Sequence, residues 1–372
     1  MERLTEGRVS FFAPVSKVVS KELPVFYNPA MGINRDISVA LIRALDRKNL
    51  VIADPLTGTG VRALRFLKEL PAAAIDELRV NDGNPKFPAL FRKQLALNKL
   101  PSKKIVAKNE DANKFLLEGP GLDYIDVDPF GSPNPFLDAA CKKIARDGIL
   151  AITATDTGAL AGSFPDACRR KYWAEPLRNE LMHEVGLRIL VRKAQLVAMQ
   201  YDRALVPVFS HATDHYDRIY LHAEKSKSYV KNLLDQHGYL VYCPACLNRA
   251  TSRLNAAVCH CGTQMHAAGP MWLGMLWNHA LVGRMITKVE GAAEKLVGTI
   301  HKEAHIPIVG FVDIHKVCKL YKLTVPKSET VINELKSRGY HATPTHFSPT
   351  GIRTDAPFED VKDIIIRQSE QA

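Results

Sequence analysis

No stretch of the 372 residues reaches the roughly 18 consecutive apolar positions that a helical membrane span needs. The opening segment, MERLTEGRVSFFAPVSK, lacks the continuous apolar core of a secretory signal. A cytoplasmic location is expected, and in that reducing compartment cysteines stay as thiols or bind metal rather than pair. There are no internal repeats and no low-complexity tract, which argues against a solenoid. Acidic residues are in deficit, 39 against 50 basic ones, and the formal net charge is +11. Such an excess points to a polyanionic partner, with nucleic acid the obvious class. A length of 372 residues and a hydrophobic content of 46% support two or three domains with substantial cores.

What the chain does contain is a long alternation of strand and helix signals. Residues 1 to about 30, interrupted by Pro14, Pro24 and Pro29, read as short strands or loops. NRDISVALIRALDR (34–47) has helical apolar spacing. Strands are expected at Leu50–Ala53, Leu78–Asn81, Ile105–Lys108, Asp123–Asp128 and Gly148–Thr153, with helices at Val61–Leu70, Lys86–Asn98 and Phe136–Ala145 between them. Leu205–Phe209 and Asp217–His222 complete the set. This pattern predicts an α/β fold with a doubly wound, mostly parallel sheet. Cys168–Arg192 reads as helical and basic, and a helical run is expected from Gly274 to about 304. The C-terminal stretch, with helices near 311–321, 327–338 and 358–367 and a strand at Tyr340–Phe347, predicts a smaller α+β, winged-helix-like unit.

In such sheets ligands bind outside the carboxyl ends of the strands. The turn DPLTGTGVR (54–62) joins a strand to a helix, and Gly58 and Gly60 allow close backbone approach to a ligand at the helix N-terminus. Asp82 follows 22 residues after Gly60, where an acid can accept hydrogen bonds from both hydroxyls of an adenosine ribose. Asp111 is set to meet an adenine amino group, and the Ala112 N–H a ring nitrogen. The fourth strand ends in DYIDVDPFGSP (123–133), which holds a carboxylate beside Pro129 and Phe130. An acid at that point suits methylation of an exocyclic amine: it accepts a hydrogen from the NH2 and takes the proton. Asp128 is the expected catalytic acid. Asp126 is the runner-up, since strand alternation points both side chains the same way.

Four of the seven cysteines cluster: Cys243-Pro-Ala-Cys246 and Cys259-His-Cys261, 12 residues apart. Two knuckles across a short hairpin suit a structural, tetrahedral Zn2+. The second knuckle has C-x-C where C-x-x-C is usual, so His260 or His266 remains open as a substitute ligand. Cys141, Cys168 and Cys318 read as packing residues.

Across nearly its whole length the chain resembles the tRNA guanine-26 N2-dimethyltransferases. The matching blocks are VFYNPAMGINRD (25–36), DPLTGTGVRALRF (54–66), Asn81-Asp82, EDAN (110–113), DVDPFGSP (126–133), TATDTGALAG (153–162), CRRKYWAEPLRNELMHEVGLRILV (168–191), GPMWLG (269–274) and THFSPTGIRTDAP (345–357). The resemblance implies a Rossmann-like S-adenosylmethionine methyltransferase domain (1–237), a zinc-ribbon-like segment (238–267) and a C-terminal tRNA-binding domain (268–372). It implies transfer of one or two methyl groups to a guanine N2 of tRNA. Carried over, Arg35, Arg62, Asp82, Asp111 and Ala112 contact S-adenosylmethionine, with Arg65 competing with Arg62. Arg169, Arg170, Lys171, Arg188, Arg192 and Lys193 form an expected phosphate-facing surface, Arg353 is expected to reach a phosphate, and His346 to face RNA or pack internally. A non-catalytic RNA-binding zinc protein and a nicotinamide-dependent oxidoreductase are the competing readings.

Overall fold

The computed structural model of the protein describes residues 1–14 and 27–370. Within the N-terminal stretch, β1 (Glu2–Glu6) and β2 (Val9–Ala13) pair as an antiparallel hairpin. Residues 15–26, including Pro24 and the first two positions of the VFYNPAMGINRD block, lie outside the described residues. A 3-10 turn at Pro29–Met31 leads into α1 (Gly32–Leu45), and the Asn28 side chain accepts the Ala30 N–H to start it.

From there strand and helix alternate as β3 (Leu50–Asp54), α2 (Val61–Glu69), β4 (Ile75–Asn81), α3 (Phe87–Leu97), β5 (Ile105–Lys108), α4 (Ala112–Leu117), β6 (Leu122–Val127), α5 (Asn134–Lys143) and β7 (Ile144–Ala154). All five strands run parallel. After α6 (Thr157–Leu160), α7 (Pro165–Tyr172) and α8 (Met182–Met199), an antiparallel pair, β8 (Arg203–Thr213) and β9 (Tyr216–Lys225), closes one edge. The seven strands lie in the order β5-β4-β3-β6-β7-β9-β8. β3 and β6 are adjacent although α2, α3 and α4 intervene, so the order reverses there and opens a crevice at their carboxyl ends. Central residues such as Ile52, Ala53, Ile125, Leu150 and Ile152 are fully buried, because helices cover both faces of a parallel sheet.

The single helix expected through Cys168–Arg192 is two. Trp173, in the left-handed region at φ 57, ends α7, and an irregular stretch precedes α8. Within that stretch Glu175 exchanges backbone hydrogen bonds with Gly269. After α9 (Lys227–Leu234), which sequence periodicity did not reveal, β10 (His237–Tyr242), β11 (Arg249–Ser252) and β12 (His266–Trp272) form a small antiparallel sheet in the order β11-β10-β12. The run expected through about residue 304 is α10 (His279–Ile286) and α11 (Ala293–Glu303).

The C-terminal unit continues with β13 (Val312–Asp313), α12 (Ile314–Tyr321), α13 (Ser328–Ser337), β14 (Ala342–Thr345), β15 (Ser348–Thr354) and α14 (Phe358–Glu370). β15 was missed in the sequence; it makes a hairpin with β14 and also pairs with β13, giving the order β13-β15-β14. A helix, a short strand, two helices and a hairpin is winged-helix topology. The buried apolar side chains of the large sheet, of β10–β12 and of this unit form one contiguous cluster.

The seam is fixed by a sealed ion-pair network. Arg353 on β15 donates to Glu184 of α8 at 2.6 Å and to Glu303 of α11 at 3.0 Å, and Arg188 pairs with Glu184 at 2.9 Å. Thr345 donates to the same Glu303 oxygen as Arg353 and His346 holds the other, each at 2.5 Å. Arg353 is 0% exposed and Arg188 1%, so neither reaches a phosphate; both expectations are corrected. A buried arginine needs carboxylates, and these come from elements remote in sequence. His346 packs internally, the second of its two expected placements.

Candidate active site and cysteine cluster

The crevice is built on the turn after β3. Gly58 and Gly60 both have positive φ, 58° and 86°. Gly60 starts α2, and a Cβ there would lie 2.5 Å from the Phe91 ring, so no other residue fits without displacing that ring. Thr57, Gly58, Thr59 and Val61 line the cleft on this side, where the first N–H groups of α2 lack helical partners. Tyr27, Asn28, Met31 and Arg35 line it from the other.

Asp82, at the end of β4, accepts the Gly58 N–H through Oδ2 at 2.8 Å and the Asn84 N–H through Oδ1 at 2.9 Å. Each oxygen keeps a lone pair for a further donor. Asn81 beside it binds the Pro55 and Glu110 carbonyls and accepts the Glu110 N–H, sewing three strand-end loops together. Asp111 caps α4, its Oδ1 accepting from Asn113 and Lys114 at 3.0 Å each, with Ala112 buried next to it. Asp82, Asp111 and Ala112 therefore line successive strand ends, outside the part of the cleft walled by Arg35 and Arg62.

The two arginines that competed in the sequence are told apart. Arg65 faces away from the cleft and binds Glu6, Asp36 and Glu69. Arg62 lines the cleft. Arg35 also lines it, with its guanidinium gripped by both oxygens of Glu6 at 2.6 and 2.5 Å. Burial alone would raise the Glu6 carboxyl; Arg35 and Arg65 outweigh it and hold the group ionised.

Arg62 connects the two acids of the DVDP stretch. It donates to Asn34 at 2.9 Å and Ser38 at 2.8 Å, approaches Asp126 at 3.3 Å, and forms a close pair with Asp128 Oδ2. Asp126 is fully buried and accepts a fork from Arg218 at 3.0 and 2.7 Å and the Tyr124 hydroxyl at 2.8 Å. Burial pushes the Asp126 carboxyl up, but Arg218 and Arg62 pull it below its usual range. Asp128, 18% exposed at its side chain, is the acid that opens to ligand, and its Oδ1 accepts from no described residue. Asp54 lies close behind: burial and then the Asp126 charge push its carboxyl up to about 8. Arg218, Asn34 and Ser38 were missed, since they reach the site from β9 and α1 with no local signal.

Asp128 lines two cavities. One is the cleft above; the other is walled by Asn28, Met31, Pro129, Phe130, Thr155 and the Asp214–Tyr216 turn of the β8–β9 hairpin. Phe130 is 39% exposed at that mouth. Two chambers meeting at one carboxylate can bring together a donor and an acceptor.

The four clustered cysteines converge, with all sulfurs within 4.8 Å of one another and Cys243–Cys261 and Cys246–Cys259 each at 3.5 Å. Tetrahedral Zn2+ with ~2.3 Å bonds needs sulfurs ~3.8 Å apart, so the donor set fits. Gly262, at φ 84, lets the short second knuckle turn. His260 borders the cluster, its Nδ1 3.6 Å from Cys259 Sγ, and also meets Asn248 and Glu359.

Sheet order, glycine turn and paired chambers define a Rossmann-like methyltransferase. The family profile described as N2,N2-dimethylguanosine tRNA methyltransferase matches residues 7–366, and the chain belongs to that family. It is 35% identical to a tRNA (guanine(26)-N(2)/guanine(27)-N(2))-dimethyltransferase of Aquifex aeolicus, over 97% of this chain and 95% of that one. It is 38% identical to a tRNA (guanine(26)-N(2))-dimethyltransferase of Pyrococcus furiosus, over 95% of each. The solved structure of Trm1 from Pyrococcus horikoshii with S-adenosyl-L-methionine superposes with a TM-score of 0.88 at 35% identity, covering 99% of this chain and 100% of that one. No helix among the described residues is long and apolar enough to cross a membrane.

Proposed function

We propose that the protein uses S-adenosylmethionine to mono- and dimethylate the exocyclic N2 of guanine 26 of tRNA in the cytoplasm. The observation that carries this reading is Asp128, held by Arg62 through one oxygen while the other faces the junction of two chambers. The bound donor supplies an activated methyl group. Asp82 accepts the ribose hydroxyls, Asp111 and the Ala112 N–H take the adenine edge, and Arg35 and Arg62 border the rest of that chamber. In the second chamber Asp128 Oδ1 accepts the guanine N2–H, aligns the nitrogen lone pair and takes the proton. The Pro129 carbonyl holds the second N–H during the first transfer, and Phe130 borders the ring of a base that has left its stack, a reading supported by both residues lining that chamber. The second transfer uses the same acid after the monomethylated amine turns or rebinds.

Cys243, Cys246, Cys259 and Cys261 hold one structural Zn2+, supported by the convergence of their sulfurs. The C-terminal winged-helix unit serves as the tRNA platform. Nucleoside mass spectrometry of tRNA incubated with protein and methyl donor tests the reading: N2-methylated guanosine at position 26 is expected, and an unmodified product with intact donor binding would favour the non-catalytic RNA-binding alternative. Asp82→Ala should cost donor binding a few kcal/mol, the scale of hydrogen bonds to a charged group.

A further inference from the structure

Away from the cleft and the cysteines, three histidines meet across the gap between α10 and α11. His279 is the first residue of α10, His301 lies in the last turn of α11, and His305 in the turn that follows. His301 and His305 are four residues apart, so they share one side of the chain as it leaves the helix. His279 faces them: its ring centroid is 5.5 Å from that of His301 and 3.9 Å from that of His305, and the last two are 5.3 Å apart. One nitrogen from each ring lies within 4.8 Å of the others.

No carboxylate of a described residue pairs with this group. None of the three rings forms a hydrogen bond or an ion pair with a described residue, so their nitrogens are free among the described residues. Three protonated imidazoles at this distance would repel; three neutral ones around a cation would not. A tetrahedral metal with bonds of ~2.0–2.1 Å wants nitrogens ~3.3 Å apart, a distance these partly exposed side chains reach by small rotamer changes.

The geometry points to a second metal site, His279–His301–His305, for a divalent ion of the Zn2+, Co2+ or Ni2+ type with water in its remaining position. It is separate from the cysteine cluster in both ligand chemistry and position. The metal fastens α10, which docks on α1 through Arg284 and the Ala44 carbonyl at 2.9 Å, to α11, which carries Glu303 of the sealed network. It acts as a clip between the catalytic layer and the C-terminal unit.

Co2+ added to the full-length, zinc-loaded protein tests this. Binding of about one equivalent with weak visible d–d bands, no thiolate charge-transfer band and a raised thermal midpoint is expected. His301→Ala, a half-exposed change that leaves the fold intact, should abolish the cobalt signal and the thermal gain while zinc at the cysteines stays. The proposal is overturned if zinc-loaded protein takes up no cobalt at micromolar concentration, if His301→Ala binds it unchanged, or if the absorption is thiolate-to-cobalt.

Discussion

Two buried arginine–carboxylate networks organise this protein, and they differ at one point. At the seam, Arg353 and Arg188 with Glu184, Glu303 and His346 close on themselves, and every charged side chain in the set is at most 2% exposed. At the cleft, Arg218 and Arg62 with Asp126 and Asp128 are equally tight within, yet the last carboxylate is 18% exposed and one of its oxygens accepts from no described residue. The first arrangement can only hold elements together. The second holds an acid still while leaving it open to the cleft, the arrangement that the proposed general base requires. Exposure of a single member separates scaffold from chemistry.

The seam should break hardest. Arg353→Ala strands Glu184 and Glu303 in a buried setting, and losing one partner of a buried pair costs about 3–5 kcal/mol. Urea unfolding should report a loss of that size; a loss below about 1 kcal/mol would mean that the network does not bear the fold.

The two networks also tilt oppositely with pH. The Glu303 carboxyl is lowered from its ordinary 4.5 to about 2; burial works against this, and His346 and Arg353 overcome it. Its contribution is therefore present above about pH 4.5 and lost as pH falls towards 2, amounting to roughly 3 kcal/mol. Asp54 behind the cleft is raised from 3.8 to about 8, so its contribution is complete below 3.8 and lost as pH rises through 8. Unfolding curves of Glu303→Gln should be flatter than the parent's on the acid side, and those of Asp54→Asn flatter from about pH 4 to about pH 8. Parallel curves in either variant would sink that half of the comparison.

At the open end, Asp128→Asn keeps an oxygen for Arg62 and removes the proton acceptor. Stability and donor binding should change little, while single-turnover methyl transfer falls about 100-fold, close to 2.7 kcal/mol. A near-normal rate would make Asp128 one more brace. Asp126 is no clean control, because Asp126→Asn removes the fork to the buried Arg218 and should unfold the protein instead.

The contrast also explains what the sequence could reveal. Strand ends, the glycine turn and the position of Asp128 follow from local periodicity, and all were legible. Arg353 sits between Ile352 and Thr354 after a glycine and has the look of a surface residue. Its partners lie 50 and 169 residues away, so burial left no local trace. The same applies to Arg218, whose acid is 92 residues distant. The break between α7 and α8 falls at Trp173, which takes the left-handed conformation itself, and Pro176 three residues on is the local signal that marks it.

The mildest test concerns arginines that look alike in the sequence. Of the six basic residues expected to face phosphate, Arg188 is sealed in the seam. Arg169 is exposed but tied to Asp166 and Glu175, and Lys171 is tied to Asp156. Lys193 sits over the Trp173 ring and Arg192 reaches the Trp173 carbonyl. Arg170 is exposed and has no partner among the described residues, and Phe164 and Trp173, 66% and 52% exposed, flank its helix. An exposed cation on a helix flanked by two exposed aromatic side chains suits RNA better than solvent. Arg170→Ala should weaken tRNA binding a few-fold at low salt, and the slope of log K against log salt should become shallower by about 0.7–0.9, the share of one phosphate contact. Melting and donor affinity should not move, in contrast to any change at Arg188 or Arg353. An unchanged salt slope would take this helix off the RNA-facing surface and leave the whole electrostatic contribution to the C-terminal unit.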